Sequence, residues 1–181
     1  MDLPKVDVKK ILYATDLSEN ARYAFAYAVS LADLYNAGIT MIHVLPEVPA
    51  MLDQTVIGYI SEDRWKEIKS QQMDEAKEAL IGKKREHLAI KEALHQFSED
   101  VKQEQEGDGF STDDIIVLRG NPVEEIIKSA EEANCDLIVM GTLGRTGIAG
   151  LFIGNTAEDV LRETQTAVLA AKPDGFVSPI E

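Results

Sequence analysis

The sequence has a single cysteine, Cys135, so no disulfide bond can form within the chain. It also has no stretch that approaches the ~20 consecutive apolar residues of a membrane-spanning helix. Residues 1–10 are polar and no apolar segment follows them, so we expect no secretory leader. We therefore expect a reducing, cytoplasmic compartment and no membrane partner, with Cys135 as a small, partly buried side chain at the start of a strand.

Basic residues are scarce: 18 lysines and arginines stand against 32 aspartates and glutamates, which gives a formal net charge of −14. Such a surface repels phosphate backbones and anionic lipids, so we expect no nucleic-acid partner. A small anionic ligand stays compatible, because the local field of a pocket can oppose the net charge. The Gly-Lys-Ser/Thr sequence of P-loop NTPases is absent, and so is the G-x-G-x-x-G pattern of dinucleotide-binding folds.

Short β-rich runs alternate with segments of helical periodicity. With 181 residues, of which 45% are hydrophobic, the chain suits one compact domain, or one domain with an insertion. Strands are predicted at residues 8–14, 39–45, 114–118, 136–140 and 167–171, and helices at 19–36, 123–133 and 156–163. Gly38 is expected to end the first helix. This alternation favours an open five-stranded parallel α/β sheet with helices on both faces.

Residues 61–106 are charged, helix-favouring and free of proline. A single helix of this length is unusual in a small domain, so we predict two helices with a break near Gly82. The second helix is interpreted as partly an insertion. His87 and His95 lack the i, i+4 spacing of a helical metal pair and are interpreted as solvated. Phe97 is expected to belong to the core.

A glycine-rich loop follows the fourth predicted strand and leads into a helix near Asn155. Its glycines are Gly141, Gly144, Gly147, Gly150 and Gly154. Glycine lets a ligand approach the backbone closely, and the free N–H groups of a helix N-terminus favour phosphate. The alternative is a surface loop in which Asn155 caps the helix and Glu158 completes a capping-box-like pair.

A second candidate position is Ala14-Thr15-Asp16, directly after the first predicted strand. Ligands of open α/β sheets bind beyond the carboxyl ends of the strands, where the strand order reverses. Asp16 could bind a ligand or cap the first helix, and Ser18 is an equally good cap. His43 is expected to be a hydrogen-bonded histidine within the second strand. The sequence supports no Ser-His-Asp or Cys-His arrangement, so no catalytic residue is predicted.

These motifs resemble the universal stress protein family. Its nucleotide-binding members carry the spacing G-x2-G-x9-G, which is similar to Gly141, Gly144 and Gly154 here. Residues 10–18, 120–127 and 135–142 look like further segments of the family, in the same order. The resemblance covers nearly the whole chain, apart from part of residues 61–109 and the tail after Pro173.

The resemblance implies a single domain over residues 1–181, with a helical insertion within 61–109 and a short tail at 173–181. The implied fold is that of the adenine nucleotide alpha hydrolase-like proteins, and the implied ligand is ATP or AMP. Any Mg²⁺ would be held through the nucleotide phosphates, with no metal site in the protein itself. The family usually forms homodimers.

The resemblance also implies the residues that would line the nucleoside end of the site: Ala14, Thr15, Asp16, Val44, Met140 and Gly141. Among them, Asp16 matches the acidic residue near the nucleoside, and Val44 matches the position that packs on the adenine. Met140 and Gly141 lie at the ribose side.

The implied phosphate loop contains Gly144, Gly154, Asn155 and Thr156. Asn155 departs from the family pattern, which has a serine or threonine after the third motif glycine. The asparagine amide can still donate to a phosphate oxygen, but it is bulkier than a hydroxyl. This departure leaves the choice between ATP and AMP open.

Three functions follow as hypotheses. The first is an adenine-nucleotide-binding stress protein with a regulatory or protective role. The second is a slow ATPase or phosphotransfer enzyme on the same site, although the loop has no evident general base and no lysine for a γ-phosphate. The third is a nucleotide-free interaction module that uses the long helical segment.

The last predicted strand, residues 166–171, carries no charge. The resemblance makes it an edge strand, and an apolar edge is a template for pairing with another chain. We expect two copies to meet antiparallel along it in a homodimer. The alternative is a monomer in which the insertion or the tail covers this edge.

Overall fold

The computed structural model describes residues 3, 5–46, 62–104, 110–142 and 155–173. Five strands alternate with four helices in this part of the chain. In order they are β1 Lys10–Ala14, α1 Glu19–Tyr35, β2 Gly38–Pro46, α2 Glu62–Glu104, β3 Ser111–Gly120, α3 Pro122–Glu132, β4 Leu137–Gly141, α4 Asn155–Glu163 and β5 Ala167–Ala171.

The strands form one parallel sheet in the order β3-β2-β1-β4-β5. The chain builds the sheet outward from β1 to β3, returns to place β4 on the other side of β1, and ends with β5. The strand order therefore reverses between β1 and β4. Right-handed crossovers then place α1 and α2 on one face and α3 and α4 on the other. The predicted fold class is confirmed.

Each face of the sheet has its own apolar core. On one face, Phe25 of α1 and Leu94 of α2 pack over Ile11, Met41 and neighbouring strand residues. On the other face, the buried residues come from β1, β2, β4, α3 and α4: Leu12, Ala14, Ile42, Ile126, Ala130, Ile138, Met140, Ala157 and Val160. Strands buried on both faces are expected for a parallel sheet covered by helices, and β4 has the unbroken apolar sequence that this requires.

The helix α2 runs without a break from Glu62 to Glu104, so the predicted division into two helices at Gly82 is wrong. A glycine within a helix costs only about 1 kcal/mol relative to alanine, and strong helix formers surround Gly82. A Cβ at this position would meet nothing within 4 Å, so the glycine is not required by close packing. Despite its length α2 is polar, and among the described helices none is long and apolar enough to cross a membrane.

The first helix ends at Asn36 and not through Gly38 as predicted. Asn36 takes the left-handed conformation, with φ 53° and ψ 47°, and its N–H bonds to the carbonyls of the last turn. Asparagine is the residue that most readily replaces glycine in this role. Gly38 instead begins β2, where a Cβ would collide with the carboxylate of Asp113.

The third strand is longer than its predicted extent of 114–118, because its first residues are polar. Pairing with β2 holds Ser111 and Thr112 in the sheet, and the register shifts between Ile39 and Thr40 so that Asp113 is bulged out. Tertiary pairing here overrides a weak local preference for strand. The bounds of the other strands and helices differ from the prediction by one or two residues, which is normal at element ends.

Candidate functional site

The reversal of strand order places the carboxyl ends of β1 and β4 side by side. Ala14, the last residue of β1, is in register with Met140 of β4 and with Ile42 of β2. The segment that follows β1 and the segment that follows β4 therefore leave the sheet at the same point. An open α/β sheet forms its ligand crevice at such a point.

Three of the predicted site residues form an apolar wall at this crevice. Ala14 and Met140 are buried, Val44 is partly buried, and all three belong to the cluster on the α3 and α4 face. Ala157 and Val160 of α4 are buried in the same cluster. The structure thus brings the predicted adenine and ribose positions together with the helix that follows the glycine loop.

The turn between β1 and α1 is held by short-range hydrogen bonds. The N–H of Leu17 donates to Oγ1 of Thr15 at 3.0 Å, and the N–H of Ser18 donates to Oδ1 of Asp16 at 3.0 Å. Leu17 has a φ of 66°, an uncommon value for a residue that is not glycine. Ser18 is the N-cap of α1 and accepts from the N–H of Ala21. Of the two caps that the sequence left open, serine takes the role, and the Asp16 carboxylate stays in the turn ahead of the helix.

His43 stabilises this turn through a hydrogen bond to its backbone. Its side chain is buried on β2, and Nδ1 lies 2.7 Å from the carbonyl oxygen of Thr15. Because a carbonyl can only accept, Nδ1 must carry the proton and donate. The interpretation of His43 as a buried, hydrogen-bonded residue is confirmed. Its partner could not be predicted, since the two residues are far apart in sequence.

Replacing His43 with phenylalanine should lower the free energy of unfolding by about 1–3 kcal/mol, because the buried carbonyl of Thr15 loses its donor. The turn that carries Asp16 should loosen as well. Urea denaturation measures the first effect, and amide exchange at Leu17 and Ser18 measures the second. His95→Phe, at an exposed position on α2, is the matched control. Equal stabilities of the two variants would contradict this role for His43.

Two further contacts fix α1 and β5 against the crevice. The hydroxyl of Tyr13 donates to the carbonyl of Ala21 at 2.6 Å. Burial raises the pKa of Tyr13 well above its ordinary value, so the phenol stays a donor. Thr142, directly after β4, is buried and donates through both its N–H and its hydroxyl to the carbonyl of Ala171. Thr142 was not predicted as a site residue; a hydroxyl next to Gly141 was the available signal.

The phosphate end of the site is only partly described. Gly144 and Gly154 lie outside the described residues, so their predicted roles stay predictions. The helix α4 begins at Asn155, and Thr156 lies in its first turn. Glu158 accepts from Nη2 of Arg162 at 2.6 Å, so one oxygen of its carboxylate is engaged along the helix. The first-turn N–H groups of α4 are the phosphate-binding groups that the sequence predicts.

Other polar residues do not form a second centre around this crevice. Within the described ranges, no group of three or more histidine, cysteine, aspartate or glutamate residues could hold a metal ion. Cys135 is buried, and this burial raises the pKa of its thiol, which therefore stays protonated. His95 is exposed as predicted, but the prediction that His87 is solvated is wrong. His87 is partly buried on α2, and its Nε2 is buried with no hydrogen-bond partner among the residues that the structure describes.

Comparison with known proteins decides the family. The model of the universal stress protein family matches residues 7–172. The chain belongs to the universal stress protein family. Universal stress protein MJ0577 of Methanocaldococcus jannaschii is 30% identical over 172 residues, which cover 91% of this chain and 94% of that protein. Universal stress protein MJ0531 of the same organism is 31% identical over 164 residues, 91% of this chain and 82% of that protein.

Solved structures of the universal stress proteins agree with this assignment. The structure of MJ0577 superposes with a TM-score of 0.64 over 94% of this chain and 99% of that one. A universal stress protein in complex with cAMP has a TM-score of 0.53 and 18% identity, over 92% of this chain and 98% of that one. At that identity the likeness shows the shared fold alone.

Proposed function

We propose that this universal stress protein binds an adenine nucleotide, ATP or AMP, in the crevice between β1 and β4. One observation carries the proposal: the apolar wall of Ala14, Val44 and Met140 lies in the same cluster as Ala157 and Val160 of α4. The planar base of a nucleotide packs on an apolar surface, and its phosphates bind well at a helix N-terminus. Both features must lie within the length of one nucleotide. The relative solved with cAMP is a protein of this fold that holds an adenine nucleotide.

The nucleoside would lie with its base on Val44 and its ribose beside Met140 and Gly141. A Cβ at Gly141 would stand 3.4 Å from the carbonyl oxygen of Asn20, so the backbone here already packs closely against α1. Asp16 would accept hydrogen bonds from the nucleoside, since its carboxylate sits in the turn directly beyond β1. Gly144, Gly154, Asn155 and Thr156 would surround the phosphates, with any Mg²⁺ bound through them.

This role is binding and not dedicated catalysis. The glycine loop contains no lysine and no evident general base, and its one charged side chain is that of Arg145. Phosphoryl transfer depends on several groups that together neutralise charge on the transferred phosphate and orient the nucleophile. Slow ATP hydrolysis is the second candidate function on the same residues. We propose a regulatory or protective role in the cytoplasm, in which the nucleotide acts as a ligand.

The change Asp16→Asn tests the nucleoside end of the site. Asparagine keeps an oxygen that can accept from the N–H of Ser18, so the turn is preserved while the negative charge is lost. The affinity for ATP should fall by about tenfold, because hydrogen bonds to a charged acceptor are the stronger ones. Equilibrium dialysis with labelled ATP measures this change.

Asp33→Asn is the matched control, since Asp33 is an exposed aspartate in the last turn of α1, at the other end of the sheet. It should leave the affinity unchanged. Equal affinities of wild type and Asp16→Asn would remove Asp16 from the site. Measurable ATP turnover that Asp16→Asn abolishes would favour the enzyme over the binding protein.

We further propose that two copies pair antiparallel along β5. This strand is at the edge of the sheet, and among the described residues no strand pairs with its outer side. Val168, Leu169 and Ala170 are only partly buried, which suits residues that a second copy would cover.

The change Val168→Pro should halve the mass measured by light scattering, because proline removes a backbone donor and blocks the edge. Leu169→Lys should act in the same direction through charge. Val168→Thr keeps the donor and the branched side chain, and it should leave the mass unchanged. The far-UV dichroism of all variants should match the wild type. A wild-type protein that stays monomeric at high concentration would refute the dimer.

A further inference from the structure

An open groove lies between α2 and the other edge strand of the sheet, β3. Its volume is about 300 Å³, and its lining residues are His87, Leu88, Lys91, Asp114, Ile115, Ile116 and Val117. Four of these residues are consecutive in β3. Consecutive strand residues point their side chains to opposite faces of a sheet. A single groove can therefore contact all four residues only if it runs along the outer edge of the strand. The groove therefore follows the outer edge of β3.

The backbone of this edge faces outward. The N–H of Ile115 donates to Oδ1 of Asp114 at 2.7 Å and not to the neighbouring strand. In a parallel ladder the N–H and C=O of one residue point to the same side, and the side alternates along the strand. Val117 therefore presents its N–H and C=O outward, as Ile115 does. Within the described ranges, β3 pairs only with β2.

Beside the groove lie an apolar surface and two buried nitrogen atoms, of which the one from arginine can only donate. Leu88 is 60% exposed beside the strand edge, an unusual position for a large apolar side chain on a polar helix. Nε2 of His87 is buried, and the described residues offer it no hydrogen-bond partner. Toward the carboxyl end of β3, Arg119 contacts the carboxylate of Glu86 through one Nη, and its Nε is buried with no partner in the described part of the chain. Nε of arginine can only donate, so its missing partner is an acceptor.

The charge balance of the groove differs from that of the whole chain. Lys91 lies 3.8 Å from Asp114, and Arg119 contacts Glu86, so the fixed charges beside the groove cancel. The chain as a whole carries −14. An acidic partner that is repelled elsewhere on the surface can therefore approach here, and the unpartnered nitrogen of Arg119 favours a carboxylate.

From these observations we propose that the groove between α2 and β3 binds an extended peptide segment of a partner protein, which adds to the sheet as a sixth strand. The segment carries an apolar side chain against Leu88 and a glutamate or aspartate toward His87 and Arg119. Its backbone bonds to the outward groups of Ile115 and Val117. Strand addition of this kind draws its affinity from backbone bonds and its specificity from alternate side chains.

An extended chain is the occupant that this geometry fits. Outward-facing residues recur every second position, about 7 Å apart, which is the repeat of another extended backbone. In the structure the N–H of Ile115 donates to the Asp114 carboxylate. When a peptide binds, this N–H would donate to a peptide carbonyl instead, and Asp114 would keep its ion pair with Lys91. The site is separate from the nucleotide crevice, which lies between β1 and β4.

A library of randomised 12-residue peptides displayed on phage is the probe. It is selected on the wild-type protein and counter-selected on Leu88→Glu, which places a negative charge in the wall at an exposed position. Enriched peptides should alternate apolar residues and carry an acidic residue. Synthetic copies should lose affinity by about tenfold on Leu88→Glu. Leu161→Glu, at a similarly exposed leucine on α4, should bind them like the wild type.

Amide exchange maps the contact on the wild-type protein. Bound peptide should slow exchange at Val117 and at Ile115, while residues of β5 stay unchanged. Three results would each overturn the proposal. The peptides could bind equally to the wild type and to Leu88→Glu, the selection could enrich no peptide over the counter-selection, or exchange could slow at residues away from β3. Enrichment of basic peptides would also overturn it. Nucleotide affinity should be the same in Leu88→Glu as in the wild type, which keeps this test independent of the crevice.

Discussion

Replacing Gly154 with valine should weaken ATP binding by about a hundredfold, the equivalent of about 2.7 kcal/mol. Gly154 is the last glycine of the G-x2-G-x9-G spacing and directly precedes α4. A phosphate bound at a helix N-terminus contacts backbone N–H groups, and a branched side chain at that point stands in its path. Calorimetric titration with ATP measures the loss.

The matched control is Gly147→Val, which changes a glycine of the same loop outside the motif spacing. It should leave the affinity close to that of the wild type, and neither change should lower Tm. Asn155→Ser should preserve or improve binding, since a smaller hydroxyl can still donate to phosphate. If Gly147→Val were as damaging as Gly154→Val, the motif spacing would have no special meaning in this loop.

Phe25→Ala should lower the free energy of unfolding by about 3–5 kcal/mol, the usual cost of removing a large buried ring. Phe25 is 1% exposed and lies at the centre of an aromatic cluster. Its ring centroid is 4.8 Å from that of Tyr13, 5.0 Å from that of Phe97 and 5.6 Å from that of Phe110. One side chain thus joins β1, α1, α2 and the entrance to β3.

Tyr27→Ala removes an aromatic ring from the same helix at a position that is 42% exposed. Its T-shaped contact with Tyr23 is a surface contact, and its loss should cost less than about 1.5 kcal/mol. Urea denaturation of both variants gives the comparison. If Phe25→Ala lowered the free energy of unfolding no more than Tyr27→Ala does, the result would contradict the packing of α2 on this face of the sheet.

Local sequence signals predicted most of the fold because their causes are local. Ser18 caps α1, Asn121 caps α3, and Pro122 takes the first position of α3, where its missing N–H costs nothing. The continuous apolar sequence of β4 predicted a strand buried on both faces. The strand order, by contrast, was not predicted, apart from the edge position of the last strand, which the family resemblance implied; spacing alone does not fix which strands are neighbours.

The errors arise where tertiary contacts outweigh local preference. Gly82 is a weak helix former in a strongly helical segment, so its cost is too small to end α2. The first residues of β3 are polar and become a strand only through pairing with β2. His87 lies on a charged stretch of sequence, and its partial burial depends on the edge of β3, which the sequence of α2 does not reveal.

The candidate site also has residues that could be predicted and contacts that could not. Ala14, Val44 and Met140 were predicted from the family and meet in one cluster. The bond from His43 to the carbonyl of Thr15 and the bonds from Thr142 to the carbonyl of Ala171 join distant parts of the chain. No periodicity signals such contacts, because they depend on the register between neighbouring strands.

Calorimetric titration of the wild-type protein with ATP, AMP and GTP tests the central claim most directly. In the proposed complex the base lies against an apolar wall and the phosphates lie at the N-terminus of α4, so ATP or AMP should give a saturable heat with one site per chain. GTP should give weaker binding or none, since the family resemblance implies an adenine nucleotide as the ligand. No heat with either adenine nucleotide, from protein whose far-UV dichroism shows the α/β fold, would contradict the account.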